Sequence, residues 1–176
     1  MCIRDRAYPV AKGLADSGVK VDMVSGFKTE ELVVLEDEFK SAVDNFYLLT
    51  DDGSKGEKGF TTDKLKKLIE EGNIYDEVIT VGPPIMMKFV CEVTKPYNIP
   101  TVASLTALMI DGTGMCGGCR VSIDGEKKYV CVDGPEFDGQ KVDWDKLIAR
   151  NAYYKDEETE EIDHVCNITG GVRHYE

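Results

Sequence analysis

The sequence predicts an α/β fold in which a partial open parallel sheet is followed by a small cysteine-rich domain. Between residues 7 and 105, helical and strand-like segments alternate at short spacing, a pattern typical of parallel α/β sheets. After residue 105, three of the six cysteines fall within a glycine-rich stretch that runs from Asp111 to Cys131. A chain of 176 residues is long enough for one domain with a smaller one appended.

The alternating segments are assigned in order from hydrophobic period, caps and breakers. Pro9 favours the first turn of the opening helix, and Gly18 ends it. Thr29 is the predicted N-cap of an amphipathic second helix with acidic residues in its first turn. The predicted helices cover residues 7–18, 28–40, 62–71 and 85–94, and the predicted strands cover residues 19–25, 45–50, 75–81 and 98–105.

The start of the chain is unusual in two respects. The opening helix feeds a parallel strand but has no strand of its own before it. Residues 1–6, Met-Cys-Ile-Arg-Asp-Arg, match the translation of a transposase sequencing adapter. The hypothesis is therefore that residues 1–6 are a read artefact at the 5′ side of a truncated gene. A genuine but divergent start is the alternative.

The cysteine-rich stretch has the spacing Asp111-x4-Cys116-x2-Cys119-x11-Cys131. With a cysteine at position 111 it would be the Cys-x4-Cys-x2-Cys…Cys spacing of a plant-type [2Fe–2S] loop. The glycines between the donors permit reversed turns around a small inorganic core. Asp124-Gly125 predicts a two-residue hairpin turn that returns Cys131 to the side of Cys119. These three cysteines and Asp111 are the predicted metal ligands.

Two other interpretations of these thiols stay open, a zinc knuckle and a set of reduced structural thiols. Zinc sites usually combine two Cys-x2-Cys halves, or one such half with histidines. Here the second half supplies one cysteine, and both histidines lie far away in the sequence. His164 and Cys166 form a weaker second candidate pair, with a single residue between them. The spacing favours the iron–sulfur interpretation.

Two segments carry a resemblance to a known family: residues 109–120, Met-Ile-Asp-Gly-Thr-Gly-Met-Cys-Gly-Gly-Cys-Arg, and residues 130–139, Val-Cys-Val-Asp-Gly-Pro-Glu-Phe-Asp-Gly. They resemble the C-terminal cluster domain of the ferredoxin:NADP+ oxidoreductase small subunit family, also known as the FAD/NAD-binding subunit of sulfide dehydrogenase. A related family is the electron-transfer subunit of dihydroorotate dehydrogenase. The resemblance extends over residues 7–154. Asp111 stands where four-cysteine relatives have their first ligand, which resembles the bifurcating-transhydrogenase branch.

The resemblance implies an oxidoreductase subunit that passes electrons between NAD(H) or FAD and a larger flavin/iron–sulfur partner subunit through a [2Fe–2S] cluster. Ferredoxin would be connected indirectly. The preferred type is an NADH-dependent ferredoxin:NADP+ oxidoreductase or a sulfide dehydrogenase. The alternative enzyme is the dihydroorotate dehydrogenase electron-transfer subunit of pyrimidine biosynthesis, and the alternative from another class is a non-catalytic zinc-stabilised interaction module. The FAD-binding barrel of the family would precede residue 7, so the chain alone is expected to be inactive.

The resemblance also implies a ferredoxin reductase-like NAD-binding domain over residues 7–105. The strand order of such domains resembles 3-2-1-4-5, and the central first strand would be missing here. The first two strands are then expected not to pair with the last two. The fragment is therefore expected to be poorly stable and to bind NAD(H) weakly or not at all.

Five residues of this domain are predicted to contact the dinucleotide. Asp51, Asp52 and Gly53 lie in a loop that faces the dinucleotide in the family, and the two carboxylates would suit ribose hydroxyls and repel a 2′-phosphate. Gly82 and Pro83 resemble the turn that passes the nicotinamide. The alternative for the loop is a solvated turn with a helix N-cap at Thr61 or Thr62.

Composition and charge argue against some classes of binding partner and some locations in the cell. A net charge of −12 argues against nucleic acid, because phosphate contacts need clustered lysine and arginine. No apolar run has the length of a membrane helix, and no signal peptide is visible. Cysteines gathered around a thiolate loop fit a reducing cytoplasm better than a secreted disulfide framework.

The cluster domain is predicted over residues 106–154, and an acidic tail over residues 155–176. A closing helix over residues 142–154 would begin at the N-cap Asp143, with Trp144, Leu147 and Ile148 on one apolar face. Cys91 is predicted to be a buried structural thiol.

Overall fold

The computed structural model describes residues 6–160, along which helices and strands alternate. The α/β class predicted from the sequence is confirmed. The strands are β1 Asp22–Phe27, β2 Asn45–Thr50, β3 Glu57–Lys58, β4 Val78–Val81, β5 Thr101–Ser104, β6 Arg120–Ile123, β7 Glu126–Tyr129 and β8 Glu136–Asp138. The helices are α1 Tyr8–Asp16, α2 Glu36–Ala42, α3 Thr61–Glu70, α4 Pro84–Thr94, α5 Val130–Asp133 and α6 Trp144–Asn151. Two 3-10 turns, Glu30–Leu32 and Lys95–Tyr97, precede α2 and follow α4.

The strands form two small sheets and one hairpin. β1, β2 and β3 pair in parallel, and β4 pairs in parallel with β5. The other edge of β5 takes β8 antiparallel, and β6 and β7 form the hairpin. Within residues 6–160, β1 pairs with β2 alone and β4 pairs with β5 alone. β1 and β2 therefore do not pair with β4 and β5, as the sequence predicted.

The single helix predicted over residues 28–40 is wrong. The segment is divided into the 3-10 turn Glu30–Leu32 and α2. Between them Val33 is extended, with φ −68° and ψ 125°, and Leu35 is left-handed, with φ 58°. Two adjacent β-branched residues, Val33 and Val34, disfavour a continuous helix at this point.

Phe39 lies on α2, after the break in the helix. Its side chain is fully buried. The ring lies edge-on to Tyr8, with 5.3 Å between centroids, and stacks on Phe46 with 5.7 Å between centroids. Aromatic pairs of this geometry stabilise a core beyond the area they bury. This packing joins α1, α2 and β2, and it explains why the chain does not continue as one helix.

The predicted helix caps are partly confirmed. Asp143 caps α6, since its Oδ1 accepts the Lys146 N–H at 3.1 Å, although α6 ends at Asn151 rather than at residue 154. An N-cap at Thr61 or Thr62 is wrong, because α3 starts at Thr61 after Phe60 and has no side-chain cap. Thr29 likewise makes no cap hydrogen bond.

One hydrophobic core joins the sheet of β4, β5 and β8 to the hairpin and to α6. Its buried residues are Met87, Cys91, Ala103, Leu105, Cys119, Val121, Val130, Val142, Trp144 and Leu147. The boundary between residues 105 and 106 stays a prediction; the residues on its two sides share this core. Burial of Cys91, predicted from the sequence, is confirmed.

Some sequence predictions fall beyond the described residues. Residues 1–5 of the proposed read artefact lie outside them, and so do His164 and Cys166. Of the predicted acidic tail, residues 155–160 are helical and exposed. No helix in the part of the chain from residue 6 to residue 160 has the length and apolar character needed to cross a membrane.

Candidate metal centre

The four predicted metal ligands lie on the loop between β5 and β6 and on α5. Leu105, fully buried, fixes the start of the loop, and its N–H donates to the carbonyl of Pro135 at 2.9 Å. Gly114 has φ +81°, and a Cβ added there would lie 3.0 Å from a methyl carbon of Val132. Glycine is therefore required where the loop folds closely onto α5, which carries Cys131.

The β6–β7 hairpin returns the chain to the loop. Asp124 and Gly125 have φ values of 52° and 80°, which fit the two-residue turn predicted for them. The Val130 N–H then donates to the carbonyl of Cys119 at 3.1 Å. As a result, the sulfur atoms of Cys119 and Cys131 lie 3.1 Å apart.

Cys119 and Cys131 differ in burial and in acidity. Cys119 is 1% exposed, whereas Cys131 is half-buried. Burial acts to raise the pKa of Cys119, but hydrogen bonds with the backbone and thiol of Cys131 outweigh it and hold that pKa below its usual value. The hydrogen bond with Cys119 raises the pKa of Cys131.

Asp111 lies at the other end of the loop, exposed to solvent. Its Oδ1 accepts the Thr113 N–H at 3.0 Å, and its Oδ2 accepts the Cys116 N–H at 2.7 Å. The Thr113 amide, followed by the Cys116 amide, holds the pKa of the Asp111 carboxyl below its usual value. Each carboxylate oxygen keeps a further lone pair, so this group can bind a metal without losing its amides.

Cys116 is exposed and forms the second donor on this side of the loop. Its sulfur accepts the Gly118 N–H at 3.3 Å. A Cβ at residue 118 would lie 3.3 Å from the Leu108 carbonyl oxygen and 3.4 Å from the Cys116 sulfur. The loop therefore approaches this sulfur closely with backbone, which supplies an N–H dipole at the metal-binding atom.

The four predicted ligand residues are linked two by two. Cys119 pairs with Cys131 through their sulfurs, and Asp111 pairs with Cys116 through an amide hydrogen bond. Within the described range 6–160, no three His, Cys, Asp or Glu side chains are gathered closely enough for a single ion. Tetrahedral zinc needs four donors within about 2.3 Å of one atom. A two-iron cluster distributes its ligands over two metal atoms, and the donor set fits that arrangement.

Large apolar side chains are also exposed in the loop and on α5. They are Leu108, Met109, Ile110, Met115 and Val132. Met115, next to Cys116, is 89% exposed. A set of large apolar side chains around one site is typical of surfaces that contact another protein.

The first group of predicted dinucleotide contacts lies directly after β2. Asp51, Asp52 and Gly53 are exposed. The Oδ1 of Asp52 accepts the hydroxyl of Ser54 at 2.6 Å and its N–H at 2.9 Å, and these bonds lower the pKa of Asp52. The Ser54 hydroxyl oxygen accepts the Glu30 N–H at 2.8 Å. Asp52 thus has a structural task in its own loop.

The second group, Gly82 and Pro83, follows β4 and leads into α4. A Cβ at residue 82 would lie 2.6 Å from the terminal methyl of Met86, so this flexible side-chain end would have to move to admit one. The two groups stand at the carboxyl ends of strands in separate sheets. No hydrogen bond or ion pair among the described residues joins them.

The contacts of Arg150 and Asn151 with the metal-binding loop were missed by sequence reasoning. Arg150 donates from Nε and Nη2 to the Gly118 carbonyl at 3.2 Å and 3.0 Å. Asn151 donates to the Thr106 carbonyl at 3.2 Å. One sequence feature could have indicated the Arg150 contact: this basic residue lies in the last turn of α6, three positions after Leu147, which is buried.

Comparison with known proteins places this geometry in context. Residues 106–143 match the family described as the iron-sulfur cluster binding domain of dihydroorotate dehydrogenase B. This match covers all four predicted ligands. The chain thus contains an iron–sulfur cluster binding domain, in agreement with the cofactor predicted from the sequence.

Relatives extend the similarity along most of the chain. A Clostridium beijerinckii protein, described as an uncharacterized protein in the adh 3′ region, is 47% identical over 152 residues, which cover 86% of this chain and 51% of that protein. The dihydroorotate dehydrogenase B (NAD(+)) electron transfer subunit homolog of Thermotoga maritima is 46% identical over 151 residues, 86% of this chain and 53% of that protein. The chain spans about half the length of these curated relatives.

A solved structure shares the fold. The matching chain comes from the structure of an NADH-dependent reduced ferredoxin-NADP oxidoreductase, described in connection with flavin-based electron bifurcation. It is 42% identical, with a TM-score of 0.81, and the match covers 90% of this chain and 57% of that one.

Proposed function

Residues 106–143 belong to the iron-sulfur cluster binding domain family of dihydroorotate dehydrogenase B, and the chain is a relative of electron transfer subunits, so we propose that it carries electrons through a [2Fe–2S] cluster. The observation that carries this proposal is the division of Asp111, Cys116, Cys119 and Cys131 into two donor pairs. When bound, such a cluster supplies a one-electron relay.

The protein groups have distinct tasks in this proposal. Cys119 and Cys131 hold the inner side, where burial of Cys119 keeps water away from one sulfur. Asp111 and Cys116 hold the outer, exposed side. A carboxylate is a harder and less electron-donating ligand than a thiolate, so Asp111 changes the reduction potential relative to a four-cysteine site.

The outer side is the proposed face for the partner. The apolar side chains around Cys116, with Met115 the most exposed, would be covered by a larger flavin/iron–sulfur subunit. Relatives of this chain are named as electron transfer subunits, which supports such an assembly. We place the complex in the cytoplasm, because free thiols persist in a reducing compartment. Electron exchange between this chain and ferredoxin would be indirect.

We propose that the dinucleotide binds at the carboxyl ends of β2 and β4. Gly82 and Pro83 would pass the nicotinamide. The loop of Asp51, Asp52 and Gly53 would take a ribose through the exposed carboxylates of its two acids. Asp51 is the freer of the two acids, because Asp52 already accepts two hydrogen bonds from Ser54. The chain spans about half the length of its curated relatives, and we propose that it is inactive without its partner subunit.

Two types of enzyme are candidates for the complex. The solved relative is a ferredoxin-NADP oxidoreductase, and we prefer this type because Asp111 departs from a four-cysteine loop. The dihydroorotate dehydrogenase type is supported by the family match and by the name of the Thermotoga maritima relative. NADP+ reduction and orotate reduction by the complex purified with its partner subunit would distinguish them.

The test of the cluster uses the complete chain, reconstituted anaerobically with iron and sulfide. We expect about two irons and two acid-labile sulfides per chain, and a rhombic S = ½ EPR signal after reduction with dithionite. Bound zinc with no EPR signal would reject the electron-transfer proposal. It would favour a zinc-stabilised interaction module instead.

A further inference from the structure

Arg150 connects the closing helix to the metal-binding loop. Its Nε and Nη2 donate to the Gly118 carbonyl at 3.2 Å and 3.0 Å, and Nη2 also reaches the Gly117 carbonyl at 3.4 Å. We propose that Arg150 is a positioning residue that sets the reduction potential of the cluster by fixing the direction of these two peptide groups. This inference rests on the proposed function.

The helix that carries Arg150 is firmly held. Trp144 and Leu147 are buried, and the Trp144 indole N–H donates to the Gly139 carbonyl at 3.0 Å. At the other end of α6, Asn151 donates to the Thr106 carbonyl at 3.2 Å. The base of the Arg150 side chain is therefore fixed relative to the start of the loop at Thr106.

Arg150 orients the peptide group between Gly117 and Gly118. In a trans peptide the C=O and N–H groups point in opposite directions. Arg150 at 3.4 Å and Arg120 at 3.1 Å hold the Gly117 carbonyl on one side of this peptide. The N–H of Gly118 therefore points to the opposite side, where it donates to the Cys116 sulfur at 3.3 Å.

The next peptide is fixed in the same way. Arg150 holds the Gly118 carbonyl with two N–H groups, which turns the N–H of Cys119 away from the guanidinium. Glycine has little preference of its own between peptide orientations, so an external donor decides the orientation. The guanidinium of arginine presents its N–H groups in a fixed planar fork, whereas lysine carries its three donors on one nitrogen at the end of a flexible stem, which fixes the two carbonyls less rigidly.

The orientation matters because the sulfur ligands carry more negative charge in the reduced cluster. An N–H group directed at a ligand sulfur stabilises that charge and raises the reduction potential. The positive charge of Arg150 acts in the same direction. Substitution by lysine separates the two effects, because it keeps the charge and removes the fork.

The experiment compares the reconstituted full chain with Arg150→Ala, Arg150→Lys and the matched control Lys146→Ala. Lys146 lies one turn earlier on α6 and pairs with Asp143 at the surface. The readouts are iron and sulfide content, EPR g-values, the midpoint potential in a redox titration, and circular dichroism as a check of folding.

We expect a more negative potential and shifted g-values in Arg150→Ala, a smaller shift in the same direction in Arg150→Lys, and no shift in Lys146→Ala. Potentials and g-values equal to wild type in both Arg150 variants would overturn the inference while leaving the cluster in place. If Arg150→Ala loses the cluster, the potential of Arg150→Lys decides by the same criterion. An absent cluster in the wild-type chain is a different result, since it rejects the proposed function itself.

Discussion

The sulfur of Cys119 lies 3.1 Å from the sulfur of Cys131, although the two residues are twelve positions apart in the sequence. The hairpin between them accounts for this approach: Arg120 pairs with Tyr129, and the strands turn at Asp124-Gly125. Both cysteines are free thiols. A pair of donors held in this way by backbone pairing is preorganised for a shared cofactor.

The first prediction concerns this pair. Cys119→Ser and Cys131→Ser should each lose most of the iron and acid-labile sulfide after reconstitution, because serine replaces a thiolate ligand. The measurement is metal and sulfide content per chain. Cys91→Ala is the control, since Cys91 is buried in the core and lies outside the loop. Full iron content in Cys131→Ser would show that Cys131 is not a ligand.

The second prediction concerns Asp111. Asp111→Ala should shift the EPR g-values of the reduced chain, as direct ligation requires, and Asp111→Cys should restore a stable cluster with a third spectrum. Asp111→Asn separates ligation from loop support, because an amide oxygen still accepts the Thr113 or Cys116 N–H but carries no charge. A spectrum unchanged in Asp111→Ala would require another fourth ligand, and His164 and Cys166 would be tested next.

The third prediction compares two thiols in the metal-free chain. Burial raises the pKa of Cys91 to about 11, whereas Cys116 is exposed. The thiolate is the reactive form, so at pH 8 very little of Cys91 is reactive, and its labelling increases as the pH rises toward 11. Mass spectrometry of the chain after brief iodoacetamide treatment should show Cys116 modified well before Cys91. Equal rates would mean that the core around Cys91 opens freely.

The fourth prediction concerns the loop after β2. A Cβ at Gly56, where φ is +70°, would overlap the Leu48 carbonyl oxygen. Gly59 in the same loop also has positive φ, +142°, but an added Cβ would meet nothing within 4 Å. Both alanine variants carry backbone strain of about 1–3 kcal/mol. Gly56→Ala should lose about 1–3 kcal/mol more through steric overlap.

Urea unfolding of the two glycine variants measures this difference. Gly59→Ala is the matched control, because it reports the strain of positive φ without the overlap. If both variants unfold at the same urea concentration, the close approach of Gly56 to β2 does not exist in solution.

The site was predictable because its determinants are local in sequence. The donor spacing, the intervening glycines and the Asp124-Gly125 turn all lie within residues 111–131, and the hairpin forms as the turn predicts. The N-cap of α6 by Asp143 was predictable for the same reason. In these places short-range chemistry alone decides the backbone.

The remaining features depend on contacts between distant segments. β8 pairs with β5, and Arg150 donates a hydrogen bond to the Gly118 carbonyl. Both contacts join residues more than thirty positions apart, and no local sequence pattern encodes them. The broken helix is similar: its amphipathic pattern continues through Leu35, but the burial of Phe39 against Tyr8 decides the outcome. Tertiary packing overrides local propensity there.

The last prediction concerns NADH. The candidate contacts Asp51 and Gly82 follow β2 and β4, which belong to separate sheets, and within residues 6–160 no strand bridges β1 and β4. A dinucleotide held at both carboxyl ends needs the two sheets at a fixed separation, and ordering them on binding opposes affinity. The chain should therefore bind NADH with a dissociation constant weaker than about 1 mM. Isothermal titration with NADH, with ADP-ribose as a control that lacks the nicotinamide, measures this; micromolar NADH binding would mean that the two sheets are already held in place.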